Sequence, residues 1–129
     1  MKVAHVAIWV KDLERMKNFY VRYFNMQCGE QYHNPIKQFS SYFLSGEKDG
    51  TRIELMTRAD IATGAGEKGA VFGWAHIAIS VGSREQVDAL TAQLRADRYR
   101  VASEPRVTGD GYYESVIADP EGNLIEITI

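Results

Sequence analysis

The sequence predicts an α+β fold of two βαβββ modules, and three observations carry this prediction. Residues 5–10 (HVAIWV) and 76–81 (HIAISV) are nearly the same strand written twice, each opening with histidine. Each leads into a stretch with helical spacing. Each is also followed by a strand with a central glutamate, Glu54 at 49 positions after His5 and Glu126 at 50 positions after His76. Such an internal duplication predicts two equivalent halves.

The first module is predicted to span residues 1–59. Residues 2–10 alternate and are rich in β-branched side chains, which is typical of a strand. Asp12 can cap the helix that follows, where apolar residues recur at helical spacing from about Leu13 to Phe24. The remaining elements are three strands and the two turns between them, at 26–32, 33–35, 37–44, 46–50 and 51–57.

The second module, residues 74–129, repeats this plan after a glycine-rich linker at 60–73. Ser83 and Gln86 have the spacing of a capping box, so a helix is expected to begin there. Val87, Leu90 and Leu94 form its apolar stripe. The extended segments and turns are predicted at 74–81, 99–107, 108–111, 112–118, 119–122 and 124–129.

Composition narrows the class of protein. The 129 residues are 45% hydrophobic and 25% charged, which suits one compact globular chain or two small halves. A net charge of −2 without a basic run gives no electrostatic basis for binding nucleic acid or an anionic membrane. With Cys28 as the single cysteine, no apolar run near 20 residues and no room for a signal peptide, we expect a cytoplasmic protein.

Strand alternation places the duplicated residues on one type of face. Side chains along a strand point alternately to its two sides. In each of the four strands, one side is aliphatic and suited to packing under a helix, whereas the other is mixed and carries His5, Glu54, His76 or Glu126. If one helix covers the aliphatic side of each module, the two modules can form a curved eight-stranded mixed sheet with these four residues on its inner face.

These four residues are predicted to bind a divalent metal. A lone strand histidine is most simply a hydrogen-bonded core residue, and a mid-strand glutamate is most simply solvent-facing. Four candidates at duplicated positions favour a different interpretation, because glutamate is depleted in strands and its buried charge is costly unless it is paired. Two imidazoles and two carboxylates suit zinc, nickel, cobalt, manganese or ferrous iron.

On these residues the chain resembles the vicinal oxygen chelate superfamily and, within it, the short bacterial-type glyoxalase I (lactoylglutathione lyase). The resemblance covers nearly the whole chain and uses the His, Glu, His, Glu set together with four motifs, 18–20 (NFY), 52–55 (RIEL), 74–78 (WAHIA) and 119–126 (DPEGNLIE). It implies a homodimer in which His5 and Glu54 of one chain meet His76 and Glu126 of the other. It also implies a six-coordinate metal, with nickel, cobalt or zinc as the main candidates.

The chemistry implied by the resemblance is isomerisation of a 2-oxoaldehyde hemithioacetal, formed with glutathione or another thiol, through a metal-bound enediolate. Glu126 or Glu54 would move the proton, and the sequence leaves open which of them does. One departure stands out. Trp9 occupies the position of an arginine that holds glutathione in the enzymes resembled, and Arg58 stands where they have an asparagine.

A neutral indole cannot form a bidentate pair with a carboxylate, so a different thiol adduct or another small vicinal-oxygen substrate is expected. The predicted pocket wall consists of Trp9, Met56, Arg58, Trp74 and Tyr113. Two alternatives remain open: an epimerase or other superfamily enzyme with a non-glutathione substrate, and a non-catalytic binding protein of the bleomycin-resistance type.

Overall fold

The structure is a computed structural model that describes residues 3–46, 50–66, 68–70, 73–109 and 111–129. The chain divides into two compact units, Met1–Gly64 and Ala65–Ile129. Each unit holds one helix and one mixed sheet, which confirms the α+β class and the repeated plan. The predicted turns at 46–50 and 108–111 lie partly outside the described residues, as do Lys2 of the first strand and residues 67, 71 and 72 of the predicted linker.

The first unit is a sheet backed by one helix. At one edge of the sheet, β1 (His5–Trp9) pairs in parallel with β5 (Arg52–Arg58). The other pairs are antiparallel: β4 (Phe39–Ser45) pairs with β5, and both β2 (Gln27–Cys28) and β3 (Tyr32–Asn34) pair with β4. The predicted strand at 26–32 is two short strands separated by residues 29–31. The elements are β1 (His5–Trp9), α1 (Leu13–Phe24), β2 (Gln27–Cys28), β3 (Tyr32–Asn34), β4 (Phe39–Ser45) and β5 (Arg52–Arg58).

The turn predicted at 33–35 lies later in the chain, at 35–38. His33 and Asn34 pair with Ser40 and Phe39 as the end of β3. Pro35 then ends the strand because it has no amide hydrogen to donate to the ladder. The Asn34 side chain accepts a hydrogen bond from the Lys37 amide at 3.1 Å and so closes the turn.

Helix α1 begins and ends where the sequence predicts. The Asp12 carboxylate accepts a hydrogen bond from the Arg15 amide at 2.9 Å, which satisfies one of the unpaired donors at the helix start. Asn25, in the left-handed conformation at φ 50°, ends it. The buried stripe is Leu13, Met16, Phe19, Tyr20 and Tyr23, and the sheet contributes Leu44, Ile53 and Leu55 to the buried core of the unit.

The second unit has the same plan, in a sheet whose strands follow the order β6 (Ile77–Ser80), β9 (Leu124–Thr128), β8 (Tyr113–Ala118) and β7 (Val101–Val107). Among the described residues, only the β6–β9 pair in this sheet is parallel. The predicted strand at 74–81 is shorter than expected, since residues 74–76 precede it. Pro105 lies in the edge strand, where a missing amide is tolerated and the pairing register shifts. The elements are β6 (Ile77–Ser80), α2 (Arg84–Ala96), β7 (Val101–Val107), β8 (Tyr113–Ala118) and β9 (Leu124–Thr128).

Helix α2 starts at the predicted cap and packs by a mixed stripe. Ser83 accepts the Gln86 amide hydrogen at 3.3 Å. Val87, Thr91 and Leu94 are buried. The Thr91 hydroxyl satisfies its hydrogen bonds inside the core, at 2.6 Å from the Val87 carbonyl oxygen and 2.7 Å from the Ser115 hydroxyl oxygen.

Among the described residues, no helix is both long enough and apolar enough to span a membrane.

The turn at 119–122 fixes the start of the strand that carries Glu126. Asp119 is buried, and its carboxylate accepts hydrogen bonds from the Glu121 and Asn123 amides, both at 2.9 Å, and from the Asn123 side-chain amide at 2.6 Å. Burial raises the pKa of this carboxyl above its ordinary value, and the hydrogen bonds from Asn123 and Glu121 only partly offset this.

We expect Asp119→Ala to lower the free energy of unfolding by about 1–3 kcal/mol, because it leaves these buried amides without their acceptor. Asp119→Asn keeps an acceptor oxygen and removes the charge, so it is the matched control.

The stability that Asp119 contributes should also depend on pH. Since the folded protein holds the carboxyl proton of Asp119 more tightly than the unfolded chain does, this contribution is most favourable below pH 3.8, the ordinary pKa, and is lost as pH rises through the folded pKa. Urea unfolding across that range should therefore show the wild type losing stability relative to Asp119→Asn. A difference that stays constant with pH would contradict this.

Candidate metal centre

In the first unit, the structure brings His5 and Glu54 together. Strands β1 and β5 run parallel in a register that sets Ala7 opposite Glu54, with His5 two residues before Ala7 on the same side of the strand. The His5 Nε2 atom lies 3.6 Å from Glu54 Oε2. The His5 side chain is 42% exposed and the Glu54 side chain 15%. The Phe43 ring meets the imidazole edge to face, with ring centroids 5.3 Å apart, which fixes the orientation of His5.

The second unit repeats this pair. Ala78 lies opposite Glu126 in the parallel β6–β9 ladder, and His76 again precedes that alanine by two residues. The His76 Nε2 atom lies 3.2 Å from Glu126 Oε2. Exposure is nearly the same as in the first pair, 42% for His76 and 18% for Glu126. The duplication read from the sequence is therefore also a duplication of register, distance and burial.

The small residue in each pair has a physical role. Ala7 and Ala78 stand between their histidine and the next outward-facing residue, directly across from the glutamate. A methyl group at this point leaves space above the sheet beside the two donor atoms, whereas a longer side chain would fill it. Each unit therefore presents an imidazole nitrogen and a carboxylate oxygen on one open side of its sheet.

The chemistry of these donors fits a divalent transition metal, but each pair alone is incomplete. One nitrogen and one oxygen ligand suit zinc, nickel or cobalt. Such ions take four to six ligands in proteins. Among the described residues, no group of three or more His, Cys, Asp or Glu side chains comes together. Each described His–Glu pair therefore offers two of the ligands that such an ion takes.

Three predicted pocket residues lie together on the open side of the first sheet. Trp9 is directly opposite Met56 in the β1–β5 ladder. The Arg58 guanidinium lies over the Trp9 ring, 5.3 Å from its centroid. Arg58 Nε also contacts Asp60 Oδ1 at 2.5 Å. Arg58 lines a cleft of about 400 Å³ together with Lys37, Gln38, Ala59 and Asp60.

The other two predicted wall residues are placed differently. Tyr113 lies on the helix side of its sheet, because Glu114 is the residue that pairs with Thr128 and faces outward. Its hydroxyl donates to Asp88 Oδ1 at 2.6 Å, which raises the pKa of Tyr113. Tyr113 therefore lies on the opposite side of the sheet from Glu126. Trp74 precedes β6 and is 85% exposed, so its own unit leaves the indole almost fully open.

Cys28 has the surroundings of a structural thiol. Its Sγ–H group donates to the Gly29 carbonyl oxygen at 3.2 Å. Burial is the main cause that raises the pKa of this thiol, so its nucleophilic thiolate form is disfavoured.

Comparison with known proteins places the chain in a family. Residues 2–127 match the family model of the Glyoxalase/Bleomycin resistance protein/Dioxygenase superfamily. The chain belongs to this superfamily. An uncharacterized protein of Bacillus subtilis, YqjT, is 27% identical over 126 residues, which cover 95% of this chain and 94% of that protein.

Solved structures of glyoxalases have the same fold as this superfamily member. The trypanothione-dependent glyoxalase I of Leishmania major aligns with a TM-score of 0.79 at 24% identity, over 99% of this chain and 86% of that one. A glyoxalase family protein from Enterococcus faecalis aligns with a TM-score of 0.76 at 22% identity, over 99% of this chain and 97% of that one. At these identities the likeness concerns the fold.

Three residues near Trp9 and Arg58 were not predicted from the sequence to belong to the pocket. The Phe39 ring meets Trp9 edge to face with centroids 6.1 Å apart, and the Tyr32 ring lies 6.0 Å from Phe39. Lys37 lines the cleft from the following turn. Alternation alone could have identified Phe39, since it shares a side of β4 with Ser41 and Phe43, but its alignment with Arg58 depends on a register that only the structure gives.

Proposed function

We propose that this protein is a metal-dependent lyase or isomerase of the glyoxalase I type. Its substrate would be the hemithioacetal of a 2-oxoaldehyde or a related molecule with oxygens on adjacent carbons. The observation that carries the proposal is the pair of His–Glu contacts, at 3.6 Å and 3.2 Å, in equivalent strand registers of the two units. Membership of the superfamily supports it.

Four side chains would hold the cation, a nickel, cobalt or zinc ion: His5, Glu54, His76 and Glu126. Because each unit supplies only two of them, two such half-sites, each one His–Glu pair, have to combine into one centre. Pairing within one chain and pairing between two chains would both supply the set. We propose pairing between chains, as the family resemblance implies, in a homodimer with His5 and Glu54 of one chain facing the His76–Glu126 pair of the other. A bound divalent cation would act there as a Lewis acid, polarising the substrate oxygens so that the neighbouring C–H group becomes more acidic.

Either glutamate can supply the base. Glu54 and Glu126 are 15% and 18% exposed, so each carboxylate is largely sheltered from water while its outward side remains open. The contact to the histidine uses Oε2 in both cases. One carboxylate would take the proton from the first carbon and return it to the adjacent carbon, as general acid–base catalysis requires.

The residues of this site do not determine which thiol forms the hemithioacetal substrate. Arg58 supplies a cation on the open face of the first sheet, whereas the neighbouring position on β1 is the neutral Trp9. We therefore propose that glutathione is one candidate cosubstrate among other thiols, to be compared by direct assay.

The proposal is tested by metal content and turnover in protein purified without an affinity tag. We expect about one metal ion per chain, since two two-ligand half-sites make one centre. Apoprotein reloaded separately with nickel, cobalt and zinc should turn over methylglyoxal with at least one thiol from a set that includes glutathione. Stoichiometric metal without thiol-dependent turnover would point instead to an epimerase or another enzyme of the superfamily. Less than about 0.1 equivalent of metal, with no activity restored by reloading, would support a sequestering protein instead.

A further inference from the structure

We propose that the open face of the first sheet also binds a planar aromatic ring that carries a carboxylate. The surface consists of Tyr32, Lys37, Phe39, Trp9 and Arg58, and we call it the aryl-acid surface. Whether such a molecule is also a substrate depends on the proposed function. That it binds is argued only from the contacts of these five residues.

The ring-binding part is a continuous row of aromatic side chains from three strands. Trp9 and Phe39 meet edge to face at 6.1 Å, and Phe39 contacts Tyr32 at 6.0 Å and an interplanar angle of 56°. Trp9 and Tyr32 nevertheless remain 38% and 56% exposed. Large aromatic side chains that stay open while fixed against one another form a rigid surface with a low entropic cost of binding, and such rings prefer another ring at tilted or offset geometry.

The acid-binding part is an arginine held in one orientation. The Arg58 guanidinium is stacked over Trp9 and tied at Nε to Asp60. Because these contacts use its face and its Nε edge, the two Nη nitrogens are the donors that we assign to a carboxylate. A guanidinium fixed in this way matches the planar, two-oxygen geometry of a carboxylate better than a flexible ammonium group does.

The cleft beside Arg58 has the charge and the structure for an anion. Lys37 and Arg58 face a single acidic lining residue, Asp60, in a cleft of about 400 Å³. The turn that brings in Lys37 is closed by the hydrogen bond from the Lys37 amide to the Asn34 side chain, and Gln38 within it adopts a left-handed φ of 48°.

The distance from the aryl-acid surface to the His5–Glu54 pair limits the size of a ligand that can reach both. Trp9 lies four residues beyond His5, and Arg58 four residues beyond Glu54, on the same sides of β1 and β5. Four strand residues span about 13 Å. A substrate with its adjacent oxygens at the metal half-site would therefore place an aryl-acid end on this surface only if it is an extended molecule, and a small aryl acid would occupy the far end alone.

We would test this with 2-naphthoate, titrated into ¹⁵N-labelled protein as purified and followed by amide chemical shifts. The fully saturated decahydro-2-naphthoate is the matched ligand that has the charge without the aromatic ring. Arg58→Gln removes the guanidinium. Arg22→Gln is the matched control variant, because Arg22 also lies over an aromatic ring, Tyr23 at 5.0 Å, but on helix α1.

We expect 2-naphthoate to shift the amides of residues 32–34, 36–39 and 58–60, and to bind about tenfold more weakly in Arg58→Gln but unchanged in Arg22→Gln. The saturated acid should also bind at least about threefold more weakly than the aromatic one. Equal binding of the two acids, equal effects of the two variants, or shifts confined to the amides around His5 and Glu54 would overturn the inference. Metal content measured on the same sample separates this outcome from failure of the proposed function, since metal can be present while aryl-acid binding is absent, and the reverse.

Discussion

Replacing Glu126 by glutamine should lower turnover by about 10²- to 10⁴-fold, and the same change at Glu54 should also lower it. Glutamine keeps the size and an oxygen donor but cannot accept the substrate proton. The variant that removes the base should keep its metal and lose kcat. The variant that only removes a ligand should lose metal affinity and recover part of its turnover in excess metal. Turnover and bound metal measured together will assign the two roles that the sequence and the symmetric geometry leave open.

Glu114→Gln is the matched control for both substitutions. Glu114 lies in the same sheet as Glu126, on the outward side of β8, and its side chain is 13% exposed. One of its carboxylate oxygens lies 3.7 Å from an Arg106 nitrogen. We expect this variant to lose far less turnover than the other two, because Glu114 has no assigned role in metal binding or proton transfer. If Glu54→Gln and Glu126→Gln behaved like Glu114→Gln, acid–base catalysis by these glutamates would be excluded.

The fold and the two His–Glu pairs could be predicted because they depend on local patterns that occur twice. Strand alternation decides which side His5 and Glu54 share, and the duplicated spacing of His76 and Glu126 predicts the same for the second unit. The parallel registers then bring each histidine to its own glutamate. The helix starts at Asp12 and Ser83 were equally predictable, because a capping side chain acts within three residues.

The placement of Tyr113 could not be predicted, for a reason visible in β8. The buried side of this strand is Tyr113, Ser115 and Ile117, and its middle residue is a serine. A serine on a core face conceals the apolar alternation that strand prediction uses. It is tolerated there because its hydroxyl bonds to Thr91, which lies 24 residues away in the sequence on helix α2.

The cleft beside Arg58 could not be predicted from the sequence either, because it depends on the position of a turn. A prediction that the chain turns at 33–35 leaves Lys37 in a strand, whereas the turn at 35–38 carries it to the rim of the cleft. The difference follows from the pairing of His33 with Ser40, whose side chains lie 2.8 Å apart. This pairing depends on the register of β3 against β4, and a shift of one residue would move every side chain of the strand to the opposite face of the sheet.

Two inactive variants should restore each other when they are mixed. His5→Ala removes a ligand from the first half-site and His76→Ala from the second, so each homodimer has two damaged centres. In a mixed dimer, one centre would combine the intact His5–Glu54 pair of one chain with the intact His76–Glu126 pair of the other. With equal amounts and random exchange, half of the dimers are mixed and half of their centres are intact, so turnover should recover to about one quarter of wild type.

The most direct measurement is therefore the turnover of this mixture, after the two variants have been unfolded and refolded together with nickel, cobalt or zinc. Each variant refolded alone is the baseline, and chains with two different tags report how many mixed dimers form. We predict near-zero turnover for each variant alone and about one quarter of the wild-type rate for the mixture. A mixture that forms mixed dimers and stays as inactive as its components would contradict a metal centre built from half-sites of two chains.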